Sequence, residues 1–325
     1  MRKVFIIILY IMLSSTSIAQ SYQELVKHSF NHLKNRDEEE LAETCLQLFS
    51  AYAMEQDETY SAARAAAARE EDVQAFALLH AIVQDSSFLD EVKKDTAFVS
   101  LHTDRRWRSL IEKIQQIDAS YDADAKQTLE DIHASDQGIR LLLLEAYQVY
   151  GRESQEAKSI RARMKMIDEV NAKKIQELLQ TKGWLGLDRV GELGNQAYFL
   201  AIQHVQDSVV QHKYLPLMRQ AVEAGNAAPW QYAFLQDRIL MNEGKFQIYG
   251  TQKILSDDPT KSYLVPLQYP QRVDELRAEV GLKPLKEALA EEGFPWDLED
   301  YSRRLPQIKK MYRKRFFQLK EKSKK

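Results

Sequence analysis

The feature that most constrains this chain is a set of four apolar stripes at helical spacing, each interrupted once by a polar residue. Over residues 122–150 the stripe is Leu129, Ile132, Ile139, Leu143 and Tyr147, and position 136, on the same face, is Asp136. Over residues 154–181 it is Ile160, Met164, Ile167, Ile175 and Leu178, interrupted by Asn171. Over residues 192–206, Leu193, Ala197 and Leu200 line up with His204. After Pro229, which suits a first helical turn, Trp230, Ala233, Phe234, Leu240 and Met241 share their face with Asp237. A 3.6-residue period sustained this long specifies packed helices.

A polar group on a buried stripe costs free energy unless it finds a partner. The pattern therefore predicts one polar cluster of Asp136, Asn171, His204 and Asp237, with Arg140 and Arg238 at its margin. Three uses of such a cluster stay open. It can be a satisfied network that fixes helix register, or a ligand or catalytic pocket built in a bundle core. It can also be a metal site of Asp136, His204 and Asp237, although no close-spaced ligand motif singles out an ion. The sequence names no cofactor.

Eleven glycines and eight prolines in 325 residues leave long uninterrupted runs of good helix formers. The fold expected is mostly α, in about two domains. Residues 22–118 read as a repeat-like array of short helices, and residues 122–292 as a helical bundle. A small β-hairpin falls near residues 246–267, with strands over 246–254 and 263–267. Gly250 inside the first strand marks a bulge or a close approach of backbone to a ligand. Gln247, Tyr249, Thr251 and Gln252 around it carry more polar character than a packing strand needs, and join the candidate ligand-binding residues.

Two resemblances add to this reading. Tyr60-Ser-Ala-Ala63, Ala75-Phe-Ala-Leu-Leu-His-Ala-Ile82 and Phe88-Leu-Asp-Glu-Val92 resemble a tetratricopeptide-repeat (TPR) pair. Residues 95–107 resemble the tail that closes such arrays, and one alanine spacing is a residue short. The resemblance implies a groove for a protein or peptide partner. Farther on stand Asp136-Gln137-x-x-Arg140, Asp168-x-x-Asn171, Gly183-Trp184, Val190-Gly191 and Gln203-His204. Asp237-Arg238, Gln247-x-Tyr249-Gly250-Thr251-Gln252 and Val273-Asp274-x-x-Arg277 follow in the same order, then Gly281-Leu282-x-Pro284-Leu285. Together these resemble the bacterial family called domain of unknown function 6624, over residues 129–289. Leu185 replaces that family's usual proline, and only Asp207 remains of its acidic residues after the histidine. The resemblance implies domain limits and site positions, and no reaction.

The ends carry their own signals. Arg2 and Lys3, the apolar run from Val4 to Leu13 and Ser17-Ile18-Ala19 read as a signal peptide over residues 1–19, so the chain is expected to be exported, periplasmic or secreted. Cys45, the one cysteine, has no possible intramolecular partner and reads as a packing residue. Residues 293–325 form a basic tail in which Tyr312, Phe316 and Phe317 interleave with Arg303, Arg304, Lys309, Lys310, Arg313, Lys314 and Arg315. It is either a solvated tail or a helix for an anionic membrane surface. The net charge of -3 gives no chain-wide reason to expect nucleic acid.

These features favour an exported binding protein, with a TPR-like partner surface and a polar ligand pocket behind it. The alternative is a hydrolase-like enzyme in which His204 is general base, Asp237 or Asp136 orients it, and Arg238 binds a negative group. A purely structural polar core is the third reading.

Overall fold

The structure, a computed structural model, describes residues 18–35, 38–83, 89–205, 207–256, 258 and 261–322. All but Ile18 and Ala19 of the expected leader lies outside the described residues, as do Phe88 and residues 323–325. Helices dominate, and the chain forms two compact units that divide between His204 and Val205. The domain boundary expected near residues 119–122 falls inside the first unit.

The first unit runs through α1 (Ile18–Asn35), α2 (Glu38–Gln56), α3 (Glu58–Ala68), α4 (Asp72–Ile82), α5 (Leu89–Lys94), a 3-10 segment (Thr96–Thr103) and α6 (Arg105–Asp118). Three long helices follow, α7 (Ala123–Tyr150), α8 (Gln155–Thr181) and α9 (Leu187–His204). The front half has two cores. Tyr60, Ala63, Ala66, Phe76, Leu79, Phe98, Leu101 and Leu110 close α3, α4 and α6 on one another, alanines letting the hairpin pack tightly. Tyr22, Val26, Leu41, Cys45 and Leu48 instead join Ile139, Leu142, Ala146 and Ile160, so α1 and α2 pack on α7 and α8.

Gly138 is what lets α2 approach: a Cβ there would lie 1.8 Å from the Cys45 carbonyl oxygen. Cys45 itself is buried, and burial pushes its thiol up to about 12, leaving a packing residue and no nucleophile at neutral pH.

The helix starts follow from side chains that accept from the first free N–H groups. Asp122 accepts from Ala125 at the head of α7, and Ser154 from Ala157 at the head of α8. The segment after Gly183 turns helical from Leu187. Its first turn is set off from the rest of α9 by Gly191, whose φ of 68° is open to glycine. Trp184 stacks on Tyr198 at 4.8 Å, and Asn195 donates to the Leu185 carbonyl at 3.1 Å, which fixes the α8–α9 connection.

The second unit contains α10 (Ser208–Glu223), α11 (Pro229–Asn242), strands β1 (Lys253–Ile254) and β2 (Tyr263–Leu264), α12 (Val273–Glu279), α13 (Leu285–Glu291) and α14 (Leu298–Lys322). The strands pair antiparallel, Lys253 with Leu264 and Ile254 with Tyr263. This hairpin is much shorter than the one expected, because residues 248–251 do not extend. The N–H groups of Ile248, Tyr249 and Thr251 turn toward the Asp237 carboxylate instead of a neighbouring strand.

The basic tail is no loose end, since Tyr301, Ile308 and Tyr312 of α14 are buried with Tyr263, Val265, Leu267 and Leu285. The Tyr312 hydroxyl donates to the Met241 and Lys245 carbonyls at 2.9 and 3.0 Å, and the Leu267 N–H donates to the Tyr301 hydroxyl at 2.8 Å. Among the described residues, no helix is long and apolar enough to cross a membrane.

Candidate functional site

Three helices of the first unit bring a polar cluster together. Asp136 and Arg140 stand one turn apart on α7, Asp168 and Asn171 one turn apart on α8, and His204 ends α9. Asp136 is wholly buried and its oxygens are fully engaged. Oδ1 meets His204 Nδ1 at 2.8 Å and Arg140 Nη1 at 3.0 Å, and Oδ2 accepts from Gln137 Nε2 at 2.7 Å. Burial alone would push the Asp136 carboxyl up. The charges of His204 and Arg140, with hydrogen bonds from His204 and Gln137, reverse this and hold it at about 2.

Arg140 spans the two carboxylates. Besides Asp136 it donates through Nη2 to Asp168 Oδ1 at 2.8 Å and through Nη1 to the Asp136 carbonyl at 2.9 Å. Burial raises the Asp168 carboxyl above its usual range, by more than the Arg140 guanidinium draws it down. Asn171 donates to Ser135 Oγ at 3.1 Å and so ties α8 to α7 beside the cluster, without bonding Asp136.

The histidine has a defined orientation. An ionised carboxylate only accepts, so Nδ1 of His204 carries the hydrogen toward Asp136. When the ring is neutral its lone pair lies on Nε2, which bonds no described residue. The side chain is 20% exposed, so solvent reaches this ring although it does not reach Asp136.

His133 is absent from the candidates read from the sequence, and Asp168 enters them only through the motif resemblance. His133, one turn before Asp136 and Gln137, is buried edge-on against Phe49, ring centroids 4.7 Å apart. Burial pushes its imidazole down to about 4 against the pull of Asp136, which keeps it neutral at pH 7. Both residues carried a spacing signal, His133 beside Ile132 on the α7 stripe and Asp168 one turn before Asn171.

One ligand atom each from Asp136, Asp168 and His204 lies within 4.8 Å of the others, a donor set a divalent cation can use. Asp168 therefore takes the place that Asp237 had in the expected metal set. Arg140 already supplies the positive charge between the two carboxylates.

Asp237 belongs to the second unit and has different partners. Its carboxylate accepts from the N–H groups of Ile248 at 2.7 Å, Tyr249 at 3.1 Å and Thr251 at 3.1 Å, and from the Thr251 hydroxyl at 3.0 Å. Burial raises its carboxyl, and these N–H groups draw it partly back.

The other residues nominated around it hold the same loop. Gln247 donates to the Gln252 and Val265 carbonyls at 3.0 and 2.7 Å and accepts from the Gln252 N–H at 2.8 Å. Gln252 donates to Thr251 Oγ1 at 2.9 Å, and buried Arg277 donates to the Tyr249 carbonyl at 2.7 Å. Arg238 follows Asp237 on α11 and is half-buried.

Residues 123–295 match the model of DUF6624, a family of unknown function. The chain belongs to this family. No curated protein and no solved structure matches the chain. The DUF6624 match takes in every residue of the α7–α9 cluster and the whole Asp237 loop, and it crosses the division between the compact units.

Proposed function

We propose that the α7–α9 cluster is a proton-transfer site, with Nε2 of His204 as the base and Asp136 as the group that orients it. The supporting observation is the 2.8 Å bond from His204 Nδ1 to a carboxylate with no exposure, on a ring that solvent still reaches. A buried anion on one nitrogen fixes the tautomer and leaves the other nitrogen to accept a proton. Arg140 is engaged on both arms by Asp136 and Asp168, so it does not attract an anionic substrate. The reaction class is removal of a proton from water or from a neutral or cationic substrate, which includes general-base hydrolysis.

The test is nitrogen NMR of the histidines in wild type and Asp136→Asn, followed by a panel of uncharged esters with His204→Gln as control. We expect hydrogen on Nδ1 of His204 in the wild type, loss of that preference in Asp136→Asn, and no turnover by His204→Gln. A wild-type ring carrying its hydrogen on Nε2 rejects the proposal.

A binding function for the front of the chain is a second reading. It is supported by the tightly packed α3–α4 hairpin, in which Ala63, Ala66 and Ala75 have no exposure, as a TPR-like unit requires. Export through the leader at residues 1–19 belongs to the same reading and rests on sequence alone.

A further inference from the structure

Docking of α14 through Tyr301, Ile308 and Tyr312 determines which side of this helix faces water. Residues two positions on from Tyr301 and Ile308 lie about 200° round the axis, on the opposite side. Arg303, Lys310 and Phe317, seven residues apart, form the midline of that outer face, and Arg313 and Lys314 flank it. All five are exposed, Phe317 at 64%.

Nearby acids neutralise only the start of this face. Asp300 pairs with Arg303 and Arg304, and Lys309 lies over the Phe246 ring at 5.0 Å. Lys310, Arg313 and Lys314 have no ion pair among the described residues, and Glu321 is the one acid of α14 after Asp300.

Phe316 and Phe317 divide the roles of two adjacent aromatics. Phe316 turns inward onto Gly244, where a Cβ would come 2.7 Å from its ring. Phe317 points out among the cations, most of its ring in solvent and one edge against Phe316. An exposed aromatic ringed by lysine and arginine on the convex side of one helix offers no groove to track a nucleic-acid backbone. It does suit the boundary between headgroups and acyl chains.

We infer that the outer face of α14 binds an anionic phospholipid bilayer, with Lys310, Arg313 and Lys314 against the phosphates and Phe317 in the acyl boundary. The experiment is co-sedimentation of the full chain with phosphatidylcholine vesicles and with vesicles of phosphatidylglycerol and phosphatidylcholine in equal parts. It compares wild type with a triple Lys310→Glu, Arg313→Glu, Lys314→Glu variant. Leader residues are the same in both proteins, so the difference between them reports α14.

Binding to the anionic vesicles should fall by roughly a hundredfold in the triple variant and weaken with salt in the wild type. A Phe317→Trp variant should shift its emission to the blue on those vesicles and not on heparin. All four positions are exposed, so unfolding midpoints should stay level and separate lost binding from lost folding. Equal binding by wild type and triple variant overturns the inference. So does binding of heparin without vesicles, or no blue shift.

Discussion

Asp136 and Asp237 start from the same sequence signal, a carboxylate where a helix stripe asks for an apolar residue, and they end in opposite roles. Asp136 meets side chains that carry charge, Arg140 and His204, and one of them keeps a free nitrogen within reach of solvent. Asp237 meets the backbone of its own unit, and its oxygens are taken up by Ile248, Tyr249 and Thr251. The difference shows that an interrupted stripe locates a buried carboxylate without saying what it is for. Function is argued from what stays unused after the hydrogen bonds are assigned, and the Asp237 loop offers much less than the Asp136 cluster.

The two carboxylates differ most in what their removal costs, and Asp237 is the costlier. Asp237→Ala removes the acceptor for three N–H groups and a hydroxyl, and we expect a loss of about 3–5 kcal/mol in stability. Asp237→Asn keeps the shape but turns an amide donor toward other donors, and should cost about 2 kcal/mol. Urea unfolding with an unchanged slope measures both. A loss under about 1 kcal/mol for the alanine would mean that Asp237 is not the anchor of the loop.

Much of the fold was legible because 3.6-residue periodicity is local. The positions of α7, α8 and α11 follow from it. The same spacing put Asp136, Arg140 and His204 on one list. The grouping of Asp237 with them came from the same logic, which counts polar interruptions and cannot see their partners. Those partners are backbone N–H groups, and every residue but proline has one, so no sequence pattern marks them.

Residues 246–254 read as a strand because Ile248 and Thr251 are β-branched, yet a tertiary acceptor drew their N–H groups away. Nothing local in the sequence marks Gly138, since its importance lies in the carbonyl of Cys45, ninety-odd positions away. Neither the inward turn of Tyr312 nor the outward one of Phe317 can be read from a basic tail until the helix has a surface to lie on.

Acid should separate His133 and Asp136 from Asp237 by sign, with Asp168 on the side of Asp237. His133 titrates near 4 in the fold against an ordinary 6.5, so the unfolded chain takes up its proton first as pH falls. The resulting loss begins near pH 6.5, is complete below 4, and amounts to about 3 kcal/mol. Asp136, lowered from 3.8 to about 2, has the same sign. Its contribution of about 2 kcal/mol is present above pH 4 and lost between there and 2. Asp237 is raised instead, so protonation as pH falls through its folded value favours the fold. Chemical unfolding of wild type and His133→Phe between pH 7 and 4 should show a steep loss in the first and a shallow one in the second. Parallel curves would remove His133 from the account of the first unit.

The smallest effect on stability is expected at the residue proposed to matter most. His204→Ala deletes a partly exposed ring and leaves Asp136 still bonded by Arg140 and Gln137, so the buried charge keeps two partners. We expect a change within about 1 kcal/mol in either direction, because a functional ring is held in place at some cost to the fold. Thermal unfolding of His204→Ala beside Asp237→Ala and Gln252→Ala measures this on one scale. Level midpoints for the first and a sharp drop for the second would sharpen the contrast between a carboxylate that serves chemistry and one that serves a loop. A drop of several degrees in His204→Ala, matching the loop variants, would instead make the histidine a brace between α7 and the end of α9. The proton-transfer site would then lose its main support, and the two carboxylates would have the same structural role.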